Sequence, residues 1–292
     1  MKNHLVAVLV LTLLAAFNSQ LSTAFSQGSL TPPGAPAPTM KTLAQIEPRT
    51  PVDAAHTPGD ISDQFIINQP GSYYLTANIS GISSKYGIGI LTNNVVLDLN
   101  GFSLLGASNS FAGIVLYVSY TNLTVRNGTV SGWGAGFHGI RCVGPNAILE
   151  GLNVSGNSFG IQCLGGSVIR DCVANGNQRD GIDVQGSGSL ILNNNVAGNN
   201  WLNGPGNAGI SIAGSNNRIE GNHVTGSGTT GVGILIPATP GPFTNNIVIR
   251  NSVIGGGVNN FSIAPGNIAG PLINDTASGT ITNSNPWANF SF

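Results

Sequence analysis

Charge is scarce in this sequence. Only 7% of its 292 residues are Asp, Glu, Lys or Arg, and the formal net charge is −1. No basic face is available for a nucleic acid or an anionic membrane, so neither is expected as a partner. Disorder is excluded from the other side, because 41% of residues are hydrophobic. Cysteine is also sparse: Cys142, Cys163 and Cys172 show no Cys-x-x-Cys pair and no Cys/His ligand spacing. The sequence therefore calls for no metal and no cofactor, and three cysteines do not make a disulfide framework. Long apolar runs are limited to Leu5–Phe17. That is shorter than the roughly 20 residues a membrane-spanning helix needs, so no transmembrane segment is expected.

The same run follows Lys2 and His4 and precedes Ser22-Thr23-Ala24. This is the layout of a secretory signal, assigned to residues 1–26, with no lipobox Cys after it. The mature protein is expected to be secreted, either extracellular or in the periplasm or at the cell surface. Residues 27–60 carry seven prolines, from Pro32 to Pro58, and read as a linker or N-terminal arm.

What the chain has in abundance is Gly, at 42, and Asn, at 35. Both accept left-handed backbone, so they mark many turns between many short strands. From residue 61 the sequence repeats. Gly-Ile steps occur at Gly89-Ile90, Gly113-Ile114, Gly139-Ile140, Gly160-Ile161, Gly181-Ile182, Gly209-Ile210 and Gly233-Ile234. Each is followed by a second short apolar run, such as AILEGLNVSG (147–156) or RIEGNHVTG (218–226). Strands this short bury no face alone; stacked coil on coil they share one core. The reading is an all-β, single-domain right-handed parallel β-helix solenoid of about nine coils over residues 61–283. Residues 284–292, with Trp287, Phe290 and Phe292, form an aromatic cap. A monomer is expected.

Column alignment supports this. Val125, Leu149, Ile169, Ile191, Ile219 and Val248 make one inward aliphatic column, and Val130, Val154, Ala174, Val196, Val224 and Val253 another. Asn194, Asn222 and Asn251 share a column between them, expected as an interior Asn ladder. Cys142 and Cys163 fall on adjacent rungs, where stacked thiols or a disulfide both fit the spacing.

The segments QPGSYYLTANISG (69–81), VVLDLNGFSLLG (95–106), RIEGN (218–222) and SNPWANFSF (284–292) resemble those of bacterial secreted right-handed β-helix repeat proteins. That group is related in fold to the pectin-lyase-like superfamily. The resemblance implies a polysaccharide or cell-surface glycan as partner, met on the outer face of one parallel sheet. For an enzyme it implies a polysaccharide lyase, epimerase or glycoside hydrolase. The Asn-x-Asp, Asp-Asp, Gly-His-Gly and Arg-x-Lys signatures of polygalacturonases are absent.

With so few charges, their positions are informative. Arg126, Glu150, Arg170, Leu192 and Glu220 form one outward column, read as cross-strand ion pairing on a solvated face. Coils three to five, counted from Gly89, bring His138, Arg141, Gln162, Arg179, Asp180 and Asp183 to one patch beside the Gly-Ile strand. His138, Arg141, Asp180 and Asp183 are the candidate catalytic groups: carboxylates or imidazole for acid–base work, and a cation to neutralise a uronate. Trp133, Phe137, Gln162, Arg179 and Trp201 are the candidate substrate-binding residues, because sugar rings stack on flat aromatics. Two classes of function remain open: polysaccharide binding or modification through this patch, and a non-catalytic structural or adhesive surface protein.

Overall fold

Runs of three to five apolar residues between Gly and Asn turns leave each strand with two backbone edges to pair. The chain satisfies them by coiling. The computed structural model describes residues 47–134, 136–274 and 283–292. The chain divides into units Met1–Glu47 and Pro48–Phe292. The expected signal segment and residues 27–46 of the arm lie outside the described residues, so the architecture is that of the second unit. It is all-β, and its coils form a right-handed parallel β-helix.

One sheet takes a single strand from each coil. Its nine strands are Asp63–Ile67, Tyr86–Ile90, Ile114–Leu116, His138–Cys142, Phe159–Cys163, Ile182–Val184, Ala208–Ile212, Val232–Ile236 and Asn259–Ile263. The second sheet has eighteen strands, mostly two per coil on either side of a corner, such as Leu190–Leu192 and Asn195–Ala197. At about 4.8 Å per rung, the nine-stranded sheet extends roughly 40 Å.

The two inward aliphatic columns are fully buried along their length. Left-handed backbone accounts for part of the Asn content: among the described residues, eleven of fourteen non-glycine residues with positive φ are Asn. Other Asn residues are interior. Asn194, Asn222, Asn251 and Asn289 form a buried ladder, each side-chain oxygen accepting the backbone N–H of the coil before, from Cys172 N to Asn251 N. Each Nδ2 of the first three donates to the next Asn at 2.9–3.0 Å. Every buried amide is thereby paired at the corner where ladder bonds break.

Two further ladders were not anticipated. Asn157, Asn177 and Asn199 repeat the same bonds at a second corner. Ser167, Ser189, Asn217, Asn246 and Asn267 do so at a third.

Three boundaries differ from expectation. Ile88, not Ile90, pairs with Ile114, so the first coil's repeat step is Gly87-Ile88. The segment YGIGI contains two Gly-Ile steps, and spacing alone selects the wrong one. Solenoid pairing also starts before residue 61, because Thr50–Pro51 pairs with Tyr73–Tyr74. At the other end, Asn289–Ser291 closes the larger sheet as a strand against Ser252–Val253 and Leu272–Asn274. Closure there is by backbone and by Asn289; Trp287 and Phe292 stay exposed.

Cys142 and Cys163 are register partners, and all three cysteines are free and buried. The hydrogen bond from its neighbour and burial hold the Cys163 thiol well above its ordinary pKa, and burial pushes Cys172 up to about 11. Such thiols are inert packing groups.

Candidate functional site

The outer face of the nine-stranded sheet is set by the Gly step in each coil, where a Cβ at Gly139, Gly181 or Gly209 would run into the core side chain Val154, Val196 or Val224, so the Gly faces inward beside the inward Ile. The residue before each Gly and the second residue after it both point away from the core. In register, the second of these columns reads Val115, Arg141, Gln162, Asp183, Ser211. Stacking converts this order into a bonded line. Arg141 Nε donates to Gln162 Oε1 at 3.2 Å, and Gln162 Nε2 donates to Asp183 Oδ2 at 2.9 Å. Gln185 Nε2 gives the same oxygen a second bond at 2.8 Å.

The first column reads His138, Phe159, Asp180, with Arg179 preceding Asp180. The His138 ring lies flat on Phe159, with centroids 4.6 Å apart and an 18° interplanar angle. The Arg179 guanidinium covers Phe159 at 5.1 Å. Asp180 Oδ1 accepts the backbone N–H of Ala208. Thus six expected residues lie near one another: His138, Arg141 and Gln162 on the fourth and fifth strands, Asp183 on the sixth, and Arg179 and Asp180 in the turn just before it.

Burial separates their roles. His138 is 8% exposed, Asp180 7% and Asp183 6%. Desolvation, reinforced by the Arg141 charge, lowers the His138 pKa to about 4, so the ring is neutral near pH 7. Both its nitrogens are buried without a hydrogen-bond partner. Desolvation raises Asp180 to about 7, partly offset by the Ala208 N–H. Desolvation also raises Asp183, against the two amide donors.

The aromatic candidates divide. Phe137 lies on the face, 4.8 Å from Phe111 and 6.1 Å from Tyr86. Tyr86 also meets Phe111 at 5.1 Å and Tyr117 at 6.2 Å. The sequence does not reveal this half-buried cluster as one column, because Tyr86 precedes its Gly step by one residue, Phe111 and Phe137 precede theirs by two and Tyr117 follows Gly113 by four. At its head, Asp63 occupies the space above Gly89, where a Cβ would come within 2.4 Å of the carboxylate. Tyr117 Oη donates to Asp63.

Trp201 is 53% exposed and its Nε1 donates to Gly176 O, placing it on the loop entering the seventh strand, beside the row. Trp133 corrects the expectation. It is 0% exposed and cannot reach a ligand. Its indole fills a slot left by Gly81, Gly87 and Gly113, each of which would place a Cβ within 2.7–2.9 Å of the ring. Its Nε1 donates to Leu104 O, and its backbone N–H is the first donor into the Asn157 ladder. Trp133 thus occupies the ladder column itself. Its position after Gly132, as Asn157 follows Gly156, is the signal that would have revealed this.

Two concavities among the described residues lie elsewhere. One is at the tail between Asn259–Phe261 and Leu272; the other is on the larger sheet between Ile247, Ile268 and Trp287. Among the described residues no three His, Cys, Asp or Glu side chains gather to hold a metal, and no helix is long and apolar enough to cross a membrane.

No curated protein matches the chain. Among solved structures, the mannuronan C-5 epimerase AlgE6 A-module of Azotobacter vinelandii aligns over 79% of this chain and 83% of its own. The two are 15% identical with a TM-score of 0.31, and nothing is transferred from that protein. The family described as right handed beta helix region matches residues 107–286, more than half of the sequence. By that match and by its coiled parallel sheets, the chain belongs to the right-handed β-helix family.

Proposed function

We propose that this is an exported β-helix protein that binds an extracellular polysaccharide along the outer face of its nine-stranded sheet. One observation carries the reading. Half-buried aromatics continue across successive coils, Tyr86, Phe111, Phe137 and Phe159, and end on the polar line Arg141–Gln162–Asp183. An open apolar track beside fixed donors and acceptors suits an extended polymer of rings better than a small molecule.

Binding is better supported than bond cleavage. Asp180 is committed to a backbone N–H and almost fully covered, and Asp183 is held by two amides. Neither stands open as a general acid in the way a glycosidase carboxylate must.

Glycan-array binding by wild type and by an Arg141→Ala/Asp183→Ala variant tests the site. Loss of binding in a variant of unchanged circular dichroism supports it. Full binding by the variant would instead favour the structural or adhesive rod, in which the row is only surface.

A further inference from the structure

The nine-stranded sheet ends on Asp63–Ile67 at the head and on Asn259–Ile263 at the tail, and the chain treats these two edges differently. The head edge is occupied. Pro58 forms an antiparallel bridge with Phe65, Thr57 O accepts the Ile66 N–H, and the Asp60 N–H donates to Asp63 O. Asp63 adds a carboxylate to that strand. Proline, charge and a covering segment are the usual means of blunting a sheet edge, and the head has all three.

The tail edge has none of them. Among the described residues no strand pairs with the tail side of Asn259–Ile263, and no loop backbone bonds to it. Its N–H and C=O groups on that side form an open row. The core is open there as well. The two inward columns of this sheet are buried as far as Ile234 and Ile236, but the next members, Phe261 and Ile263, are only half-buried. Of fourteen exposed large hydrophobic residues among those described, six fall within residues 254–292: Ile254, Val258, Ile268, Leu272, Trp287 and Phe292. Residues 251–274 and 283–292 contain no Asp, Glu, Lys or Arg.

From this asymmetry we infer that the tail is an interface whose partner is a second copy of this chain, joined tail to tail about a two-fold axis. An open sheet edge is satisfied by another backbone edge. The head offers none, because its own chain fills it, so copies do not stack head to tail. An isologous contact uses the same open edge on both copies and closes at two. An axis normal to the sheet sets Asn259–Ile263 of one protomer antiparallel to the same strand of its partner. Uncharged ends meet without the repulsion that like charges would bring. The concavity between Phe261, Leu272 and Phe292 receives apolar side chains of the other copy. One coil seen end-on offers less than the roughly 800 Å² per partner of a standard interface, so the dimer is weak, with a dissociation constant on the order of 10 μM. It takes the place of the monomer expected from sequence. The same axis leaves both nine-stranded faces on one side, although dimerisation itself does not depend on the polysaccharide reading.

Sedimentation equilibrium of the mature chain between about 1 and 200 μM tests this. The expected result is a shift from the monomer mass to twice that mass and no further. Val258→Lys/Leu272→Lys changes two exposed side chains and should weaken association more than tenfold with an unchanged circular dichroism spectrum. Ile61→Lys, exposed at the head, should leave association as it is. In the wild type, amide exchange over residues 259–263 should slow as concentration rises, which reads the edge without any substitution. Monomer at every concentration would overturn the inference, and so would a mass that keeps growing past two copies. Association that survives the double substitution, or that is lost with Ile61→Lys, would overturn the assignment to the tail. Exchange at 259–263 indifferent to concentration would overturn the strand pairing.

Discussion

The outer faces of the two sheets use the same residues in opposite ways. On the larger sheet, arginines and carboxylates consume one another: Arg126 meets Asp98 and Arg170 meets Glu150 across neighbouring strands, and Glu220 pairs with Arg218 of its own strand and Arg250 of the next coil. On the nine-stranded sheet, the carboxylates are turned onto amides, Asp183 to two glutamines and Asp180 to Ala208 N–H, while Arg141 and Arg179 have no carboxylate partner among the described residues. Register alone does not create that difference, since both sheets stack with equal regularity. The difference lies in which side chain sits opposite which, and it marks one face as finished and the other as available. An arginine covers an aromatic on each sheet, Arg250 over Trp287 at 4.5 Å and Arg179 over Phe159 at 5.1 Å.

The comparison breaks first if buried polar or aromatic groups, rather than the face, carry binding. Trp133→Ala empties the glycine-lined slot and should destabilise the fold by about 3–5 kcal/mol in urea unfolding. Just below its transition midpoint it should bind glycan as wild type does, because Trp133 is core. Asn222→Ala removes bonds to Ile191 O and Asn251 Oδ1 and strands the Asn194 N–H. It should cost about 2–4 kcal/mol, again without altering binding. Loss of binding in either variant while folded would erase the distinction between architecture and site.

Much of this was legible in sequence, and the failures have physical causes. Apolar columns and the Asn194–Asn222–Asn251 ladder repeat at fixed offsets from strand residues, so alignment finds them. The Asn157 and Asn217 ladders are hidden because Gly-Asn and Asn-Asn pairs read equally well as turns; only the repeated offsets, Gly156-Asn157, Gly176-Asn177 and Gly198-Asn199, distinguish the first of them. Counting from Gly groups Arg141, Gln162 and Asp183 as the register does. The burial of the patch is not legible in this way, because the covering residues, Phe111 and Phe137 among them, belong to turns whose lengths vary from coil to coil. Trp133 was misplaced because three distant glycines, not its neighbours, make its cavity.

A smaller effect concerns pH. Asp180 is raised when folded, so its contribution is fully present below the unfolded value near 4 and is lost as pH rises to about 7. Asp183 is shifted in the same direction. His138 is lowered to about 4, so its neutral burial costs stability below about 6.5, and stability from this group rises from pH 4 to 6.5. With two carboxylates falling against one imidazole rising, wild-type stability should decline across that window. In Asp180→Asn/Asp183→Asn, which removes both falling contributions and keeps an oxygen for Ala208 N–H, stability should rise with pH between 4 and 6.5 by up to about 1.4 kcal/mol per unit, measured by urea midpoints. A flat profile in that variant would mean His138 is not held neutral. The smallest effect is expected for Arg170→Gln, an exposed pair whose loss should leave the melting temperature unchanged within error.

Hydroxyl-radical footprinting with and without a polysaccharide bound on the glycan array tests the central claim most directly, because it reads aromatic side chains on both faces at once. Phe137, Phe159 and Trp201 on and beside the nine-stranded sheet should be protected, while Trp287 on the larger sheet, comparably exposed at 46%, should react unchanged. Protection of Trp287 with Phe137 and Phe159 unaffected would contradict the assignment of binding to the nine-stranded face.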